Sequence, residues 1–229
     1  MRYVLILFYL IVFFVLCEFF EENLAFVLRS FFVLNLIIVL VFWYFNKEKE
    51  HCCRNEQSVK QYVFVIVFGL SFAFLNGIIY LDREWMMGGV EVYKGFSTVS
   101  FLNIVLLSPI VEELLYRKYW YSFLSKEGRY KILNIILISL VFSLVHFYTS
   151  TPLIVPFIAS LFLFWIYNRT KNIFLCIVCH VFVNIGPFII PYLLAPDFEK
   201  ITEIITALIF LGSVLLFNKV LKKKEVTQR

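Results

Sequence analysis

The residues best suited to chemistry are acids, a base and imidazoles placed where apolar side chains would be expected. Glu112, Glu113 and Arg117 lie in SPIVEELLYRKYW, His146 in FSLVHF, and His180 and Asn184 in CHVFVNIGP, each within a long apolar run. A charged side chain in a membrane helix costs about 2.5–3.5 kcal/mol on insertion scales, so those that persist are paired, face water or perform a task. On a helix, residues three or four apart share a face, whereas neighbours point about 100° apart. Glu113 and Arg117 are therefore spaced for an ion pair, and Glu112 is aimed elsewhere. His180 and Asn184 share one face, and Phe142 sits one turn before His146. Two carboxylates, a guanidinium, two imidazoles and an amide are more ionisable chemistry than packing requires, and such groups move protons and stabilise developing charge.

The elements that must position these residues follow from composition. Of 229 residues, 62% are apolar and 16% charged, with 28 Phe; a soluble domain is about 45–50% apolar and about 25% charged. Polar punctuation leaves eight apolar segments, about 3–20, 24–45, 61–81, 96–124, 131–148, 152–168, 173–194 and 200–218. Most approach the length of about 20 residues that crosses a hydrocarbon core. Only helices and closed barrels satisfy every backbone group in lipid, and runs without period-two alternation exclude the barrel. The expected fold is all-α: a polytopic transmembrane bundle of about eight helices forming a single integral membrane domain over residues 1–229. The fourth segment is overlong and contains Pro109 as well as the two glutamates.

Lys and Arg concentrate in the connections after the second, fourth and sixth segments and in the tail (Lys47, Lys49, Arg54 and Lys60; Lys126, Arg129 and Lys131; Arg169 and Lys171; Lys219 and Lys222 to Lys224). Their asymmetry predicts that both termini are cytoplasmic. The net charge of +5 is scattered between apolar runs, which gives no nucleic-acid surface. Arg2 and the run to Cys17 resemble a secretion signal, but no small-residue cleavage site precedes Glu18, Glu21 and Glu22, so a retained first helix is expected. At about 1.5 Å per residue from the predicted cytoplasmic ends, Glu112 lies about 18 Å deep, His146 about 22 Å, and His180 and Asn184 about 10 to 17 Å. One polar cluster in the middle or cytoplasmic half of the membrane is thus geometrically allowed. His51, Cys52 and Cys53 fall in a polar loop expected to be cytoplasmic and reduced. Cys176, Cys179 and His180 spell C-x-x-C-H, but haem attachment needs an exposed segment outside the cytoplasm, and buried thiols in an apolar helix usually serve as small hydrophobes.

Taken together, the three polar segments resemble the CAAX-prenyl protease and bacteriocin-processing (Abi) family, whose motifs read E-E-x-x-x-R, F-x-x-x-H and H-x-x-x-N or H-x-x-x-D. Glu112, Glu113 and Arg117 match the first, Phe142 and His146 the second, His180 and Asn184 the third, in that order. The resemblance covers a protease-like core of about 96–190 without departure from the motifs, and leaves the first three helices and the last unassigned. It implies a glutamate-dependent intramembrane endopeptidase without metal. Glu112 would be the general base on water, and His146 would orient or activate that water. His180 and Asn184 would stabilise the tetrahedral oxyanion, while Glu113 and Arg117 would hold Glu112 in place.

The chemistry is coherent on general grounds, because a carboxylate removed from water is a stronger base than an exposed one. The same Glu and His residues would also suit Zn²⁺, although H-E-x-x-H pairing is absent, so no cofactor is expected. A non-catalytic protein for bacteriocin self-immunity or peptide export would keep the fold but leave a water-activating acid without purpose. A proton-coupled carrier lacks the expected inverted repeat. The expected partners are the lipid bilayer, a hydrophobic or membrane-bound peptide or protein substrate, and a peptide-export transporter; the expected location is a bacterial plasma membrane.

Overall fold

The computed structural model describes residues 2–19, 24–46, 59–81, 98–125, 130–147, 152–193, 208–209 and 211–215. It is all-helical, with no strand among the described residues. Helices α1 (Arg2–Phe19), α2 (Leu24–Asn46) and α3 (Val59–Leu81) follow the first three predicted segments to within two residues. The fourth segment folds as five successive pieces: α4 (Thr98–Leu102), π1 (Asn103–Leu107), α5 (Ser108–Glu113), π2 (Leu114–Trp120) and α6 (Tyr121–Leu124). Then come α7 (Lys131–Leu144), α8 (Ile154–Thr170) and α9 (Ile173–Leu193). The last predicted segment is described at 208–209 and 211–215 and is helical there. His51, Cys52, Cys53 and most of the Lys and Arg residues that set the predicted orientation lie outside the described residues.

The two π-helical turns are the feature the apolar pattern does not announce. Ser108 N–H bonds the Asn103 carbonyl and Tyr121 N–H bonds the Tyr116 carbonyl, each reaching back five residues instead of four. Leu102, Ser108, Glu113 and Tyr121 all keep right-handed helical torsions, so α and π pieces join without a break. Pro109 is the second residue after π1. In a regular α-helix its ring would meet the carbonyl four residues back, and the widened turn ahead of it gives room.

Two compact units make up the chain, each from two stretches: Met1–Arg54 with Ile110–Trp165, and Asn55–Pro109 with Ile166–Arg229. The first unit is built on rings. Phe13 and Tyr9 of α1 pack on Phe31 of α2 at 4.6 and 5.2 Å between centroids, and Tyr9 meets Trp120 of π2 edge-on at 4.6 Å. Phe42 of α2 stacks on Tyr119 at 5.5 Å, and Tyr121 of α6 meets Phe164 of α8 at 5.3 Å. Such pairs add to area burial because ring edges and faces carry opposite partial charge. Polar bonds pin the periphery: Tyr3 Oη donates to Asn134 Oδ1 at 3.0 Å, and Asn134 Nδ2 donates to Ser125 Oγ at 3.3 Å.

In the second unit α3 lies along α9. A Cβ on Gly69 would fall 2.6 Å from the Cys179 carbonyl oxygen and 3.0 Å from Phe182 Cβ, so only glycine lets the two backbones come this near. The turn into α9 is set locally. Lys171 takes a left-handed φ of 52° and donates its N–H to the Tyr167 carbonyl at 2.7 Å, while Asn172 Oδ1 caps α9 by accepting from Phe174 N–H at 2.8 Å.

Among the described residues no helix is long and apolar enough to cross a membrane, where the sequence predicts eight spans. One physical reason is length. The 14 residues of α7 and 17 of α8 rise about 21 and about 26 Å, short of a hydrocarbon core of about 30 Å. The close approach at Gly69 gives a direct test by thermal unfolding in detergent. Gly69→Ala should destabilise the protein by about 1–3 kcal/mol, as overpacking does. Gly212→Ala, with nothing within 4 Å of the new methyl, should leave the midpoint unchanged or raise it. Equal midpoints for both variants would refute the contact.

Candidate active site

The first unit places a full positive charge in its interior. Arg117, in π2, is 0% exposed, as is Glu113 at the end of α5. Arg117 Nη1 lies 3.0 Å from Glu113 Oε1, the ion pair that the four-residue spacing predicts. Arg117 Nη2 donates to Ser160 Oγ of α8 at 2.9 Å. The guanidinium carbon sits 4.8 Å from the Phe142 ring centroid and 5.1 Å from that of Phe164. Guanidinium is the cation suited to this setting, being weakly hydrated, planar and able to stack on aromatic faces while its fork donates sideways.

Phe142 links the charge to the histidine. Its ring lies 4.5 Å from that of His146, tilted by 37°, and its carbonyl oxygen is 2.6 Å from His146 Nδ1. A carbonyl only accepts, so Nδ1 carries the proton, and the neutral ring keeps its lone pair on Nε2. His146 lies just past the end of α7, its own N–H donating to the Ser143 carbonyl at 2.9 Å. It is half-buried. The imidazole is therefore oriented by the last turn of the helix, with Nε2 at the far side of the ring.

Glu112 is half-buried, and its Oε2 is shut off from solvent. Being one residue from Glu113, it faces away from the ion pair, and the Tyr9 hydroxyl of α1 is within its electrostatic reach. In the second unit His180 of α9 is 4% exposed. One turn further on, Asn184 Nδ2 donates to the Ile104 carbonyl of π1 at 3.0 Å. A π turn disturbs the regular ladder, and Asn184 serves the backbone there with one of its two N–H donors. Cys176 and Cys179 are buried free thiols, and Cys176 Sγ lies 3.7 Å from the Asn172 carbonyl. Among the described residues no group of three or more His, Cys, Asp or Glu is arranged to hold a metal ion.

Within the first unit the structure thus brings together Glu113, Arg117, Phe142 and His146, joining the first two motifs by direct contact. Ser160 and Phe164 complete the surroundings of Arg117 and were not among the residues singled out from sequence; a serine and a phenylalanine in an apolar helix carry no local mark of a partner 43 or more residues away. The buried pair can be probed by denaturation in detergent. Arg117→Met should cost about 3–5 kcal/mol by stranding the Glu113 charge, whereas the double variant Glu113→Leu, Arg117→Met should recover most of that loss. A double variant no better than Arg117→Met alone would show that the pair is not the source of the cost.

Comparison with protein-family models matches residues 94–186 to the Rce1-like type II CAAX prenyl endopeptidase family, while no curated protein and no solved structure matches the chain. The matched stretch contains Glu112, Glu113, Arg117, Phe142, His146, His180 and Asn184, and leaves α1, α2 and α3 outside it. Over residues 94–186 the chain is thus similar to the Rce1-like type II CAAX prenyl endopeptidase domain.

Proposed function

We propose that the chain is a multi-pass intramembrane endopeptidase that cuts a hydrophobic or membrane-bound peptide with water activated by Glu112, without a metal. The observation that carries this reading is the contact chain from Glu113 through Arg117 and Phe142 to His146, which fixes an acid-bearing helix against an oriented imidazole. Membrane residence is supported by the surface: Leu7, Phe8 and Ile11 of α1 and Ile37, Leu40, Tyr44 and Phe45 of α2 are each more than half exposed. Water disfavours an apolar surface of this extent, and acyl chains accommodate it.

The reaction assigns each residue a task. As the water oxygen bonds to the scissile carbonyl carbon, its proton passes to Glu112. The lone pair on His146 Nε2 accepts a hydrogen bond from the same water and sets its direction. Charge gathers on the former carbonyl oxygen, and the family resemblance gives the donors to it as His180 and Asn184. Collapse breaks the C–N bond, and Glu112 returns its proton to the departing nitrogen. Glu113 and Arg117 do not touch the substrate; they hold the helix that presents Glu112. A small membrane-bound precursor handled together with an export transporter fits this chemistry as substrate and partner.

The test uses the full chain in liposomes with two probes: a farnesylated peptide ending in a CAAX box, and a hydrophobic peptide of the same sequence without the lipid. Mass spectrometry should find new termini with the wild type. Glu112→Gln, His146→Ala and His180→Ala should each lower the rate by about 10² or more at unchanged abundance, and a chelator should leave cleavage intact. Undiminished cleavage by Glu112→Gln would sink the mechanism, and inhibition by the chelator would replace it with a metal-dependent one.

A further inference from the structure

Helix α1 lies outside the family-matched segment, yet it sends a hydroxyl to the acid-bearing helix. Tyr9 is 4% exposed, and its Oη lies 2.8 Å from Asn35 Oδ1 of α2 and 2.8 Å from Tyr116 Oη of π2. A buried phenol requires such partners. Their order follows from proton counting. The Asn35 amide oxygen only accepts, so Tyr9 donates to it; Tyr9 has no second proton, so Tyr116 donates to Tyr9. The result is a directed chain from Tyr116 through Tyr9 to Asn35, joining three helical elements.

Tyr116 stands four residues after Glu112, hence on the same face of the helix, while Glu113 and Arg117 occupy the adjacent one. Tyr116 is 0% exposed, and its carbonyl accepts the five-residue bond that closes π2. The rotation of that face is therefore held from two sides: by Arg117 among Phe142, Phe164 and Ser160, and by Tyr116 against Tyr9. The Tyr9 ring packs on Phe31 and Trp120, so ring and hydroxyl make separable contributions.

We propose that Tyr9 is a positioning residue of the peptidase site, its hydroxyl acting through Tyr116 to fix the helix face that presents Glu112. This rests on the peptidase reading above. An interhelical hydrogen bond that served stability alone would alter neither the turnover step nor the surroundings of the Glu112 carboxylate.

The experiment takes the full chain in liposomes, with the two peptide probes and isotope-edited infrared spectra of ¹³C-glutamate protein, in which the Glu112 band is the one lost in Glu112→Gln. Tyr9→Phe keeps the ring contacts and removes only the hydroxyl. It should lower kcat about tenfold with KM unchanged, the signature of a displaced catalytic group, and should shift the Glu112 band. Tyr116→Phe deletes the same hydroxyl contact while sparing the bond from Tyr9 to Asn35, so it decides the matter if Tyr9→Phe does not accumulate. The double variant should fall no lower than the weaker single one. An unmoved Glu112 band or a wild-type kcat in Tyr9→Phe overturns the proposal. If the wild type cleaves neither probe, the peptidase reading is what fails, and the band alone then upholds or overturns the positioning role.

Discussion

A guanidinium is enclosed with 0% exposure in the first unit, and much of that unit is organised around satisfying it. A guanidinium removed from water needs a counter-charge, acceptors in its plane and polarisable matter above and below. Glu113 provides the first, Ser160 the second, Phe142 and Phe164 the third. These come from the end of α5, from α8 and from α7, so meeting the demands of one side chain also sets three elements against one another. Such a pair is poor evidence of net stability, since well-packed apolar residues can do as well. Its worth lies in specifying one arrangement.

That specification reaches the chemistry by two short routes. Along the chain, holding Glu113 inward turns Glu112 about 100° away from the pair. Through space, Phe142 under the guanidinium offers its carbonyl to His146 Nδ1, so the tautomer of the imidazole is tied to the placement of the buried charge. Neither route requires the ion pair to meet a substrate. In the second unit the equivalent precision comes from the backbone itself, where glycine at position 69 admits the Cys179 carbonyl and thereby seats the stretch of α9 that bears His180.

The parts of this arrangement that were legible in sequence are those governed by local spacing. Helix limits follow polar punctuation, so α1 to α3 fall within two residues of expectation. The contact of Glu113 with Arg117 and that of Phe142 with His146 follow from four-residue separation. Ser160 and Tyr9 were not legible, because single neutral polar residues in apolar runs say nothing of partners 43 and 107 residues away. The π turns were invisible for a different reason: a change of hydrogen-bond register leaves composition untouched, and only Pro109 hints at the first of them. The predicted membrane spans rested on apolar run length, and α7 proves shorter as a helix than its run.

A π turn can be viewed as an α-helix carrying a surplus residue, and π2 carries its surplus between the glutamates and the aromatic end of the same segment. Excising one residue from 114–120 would let ordinary helical bonding resume, with no loss of helical propensity. Because five-residue bonding spreads the surplus over the turn, the pieces beyond the cut would keep nearly their present direction relative to Glu112. The cost would fall inside the turn, where Tyr119 and Trp120 meet Phe42 and Tyr9. The surplus residue thus serves the contacts made within the turn, and the helical pieces on either side hold nearly the same phase with or without it.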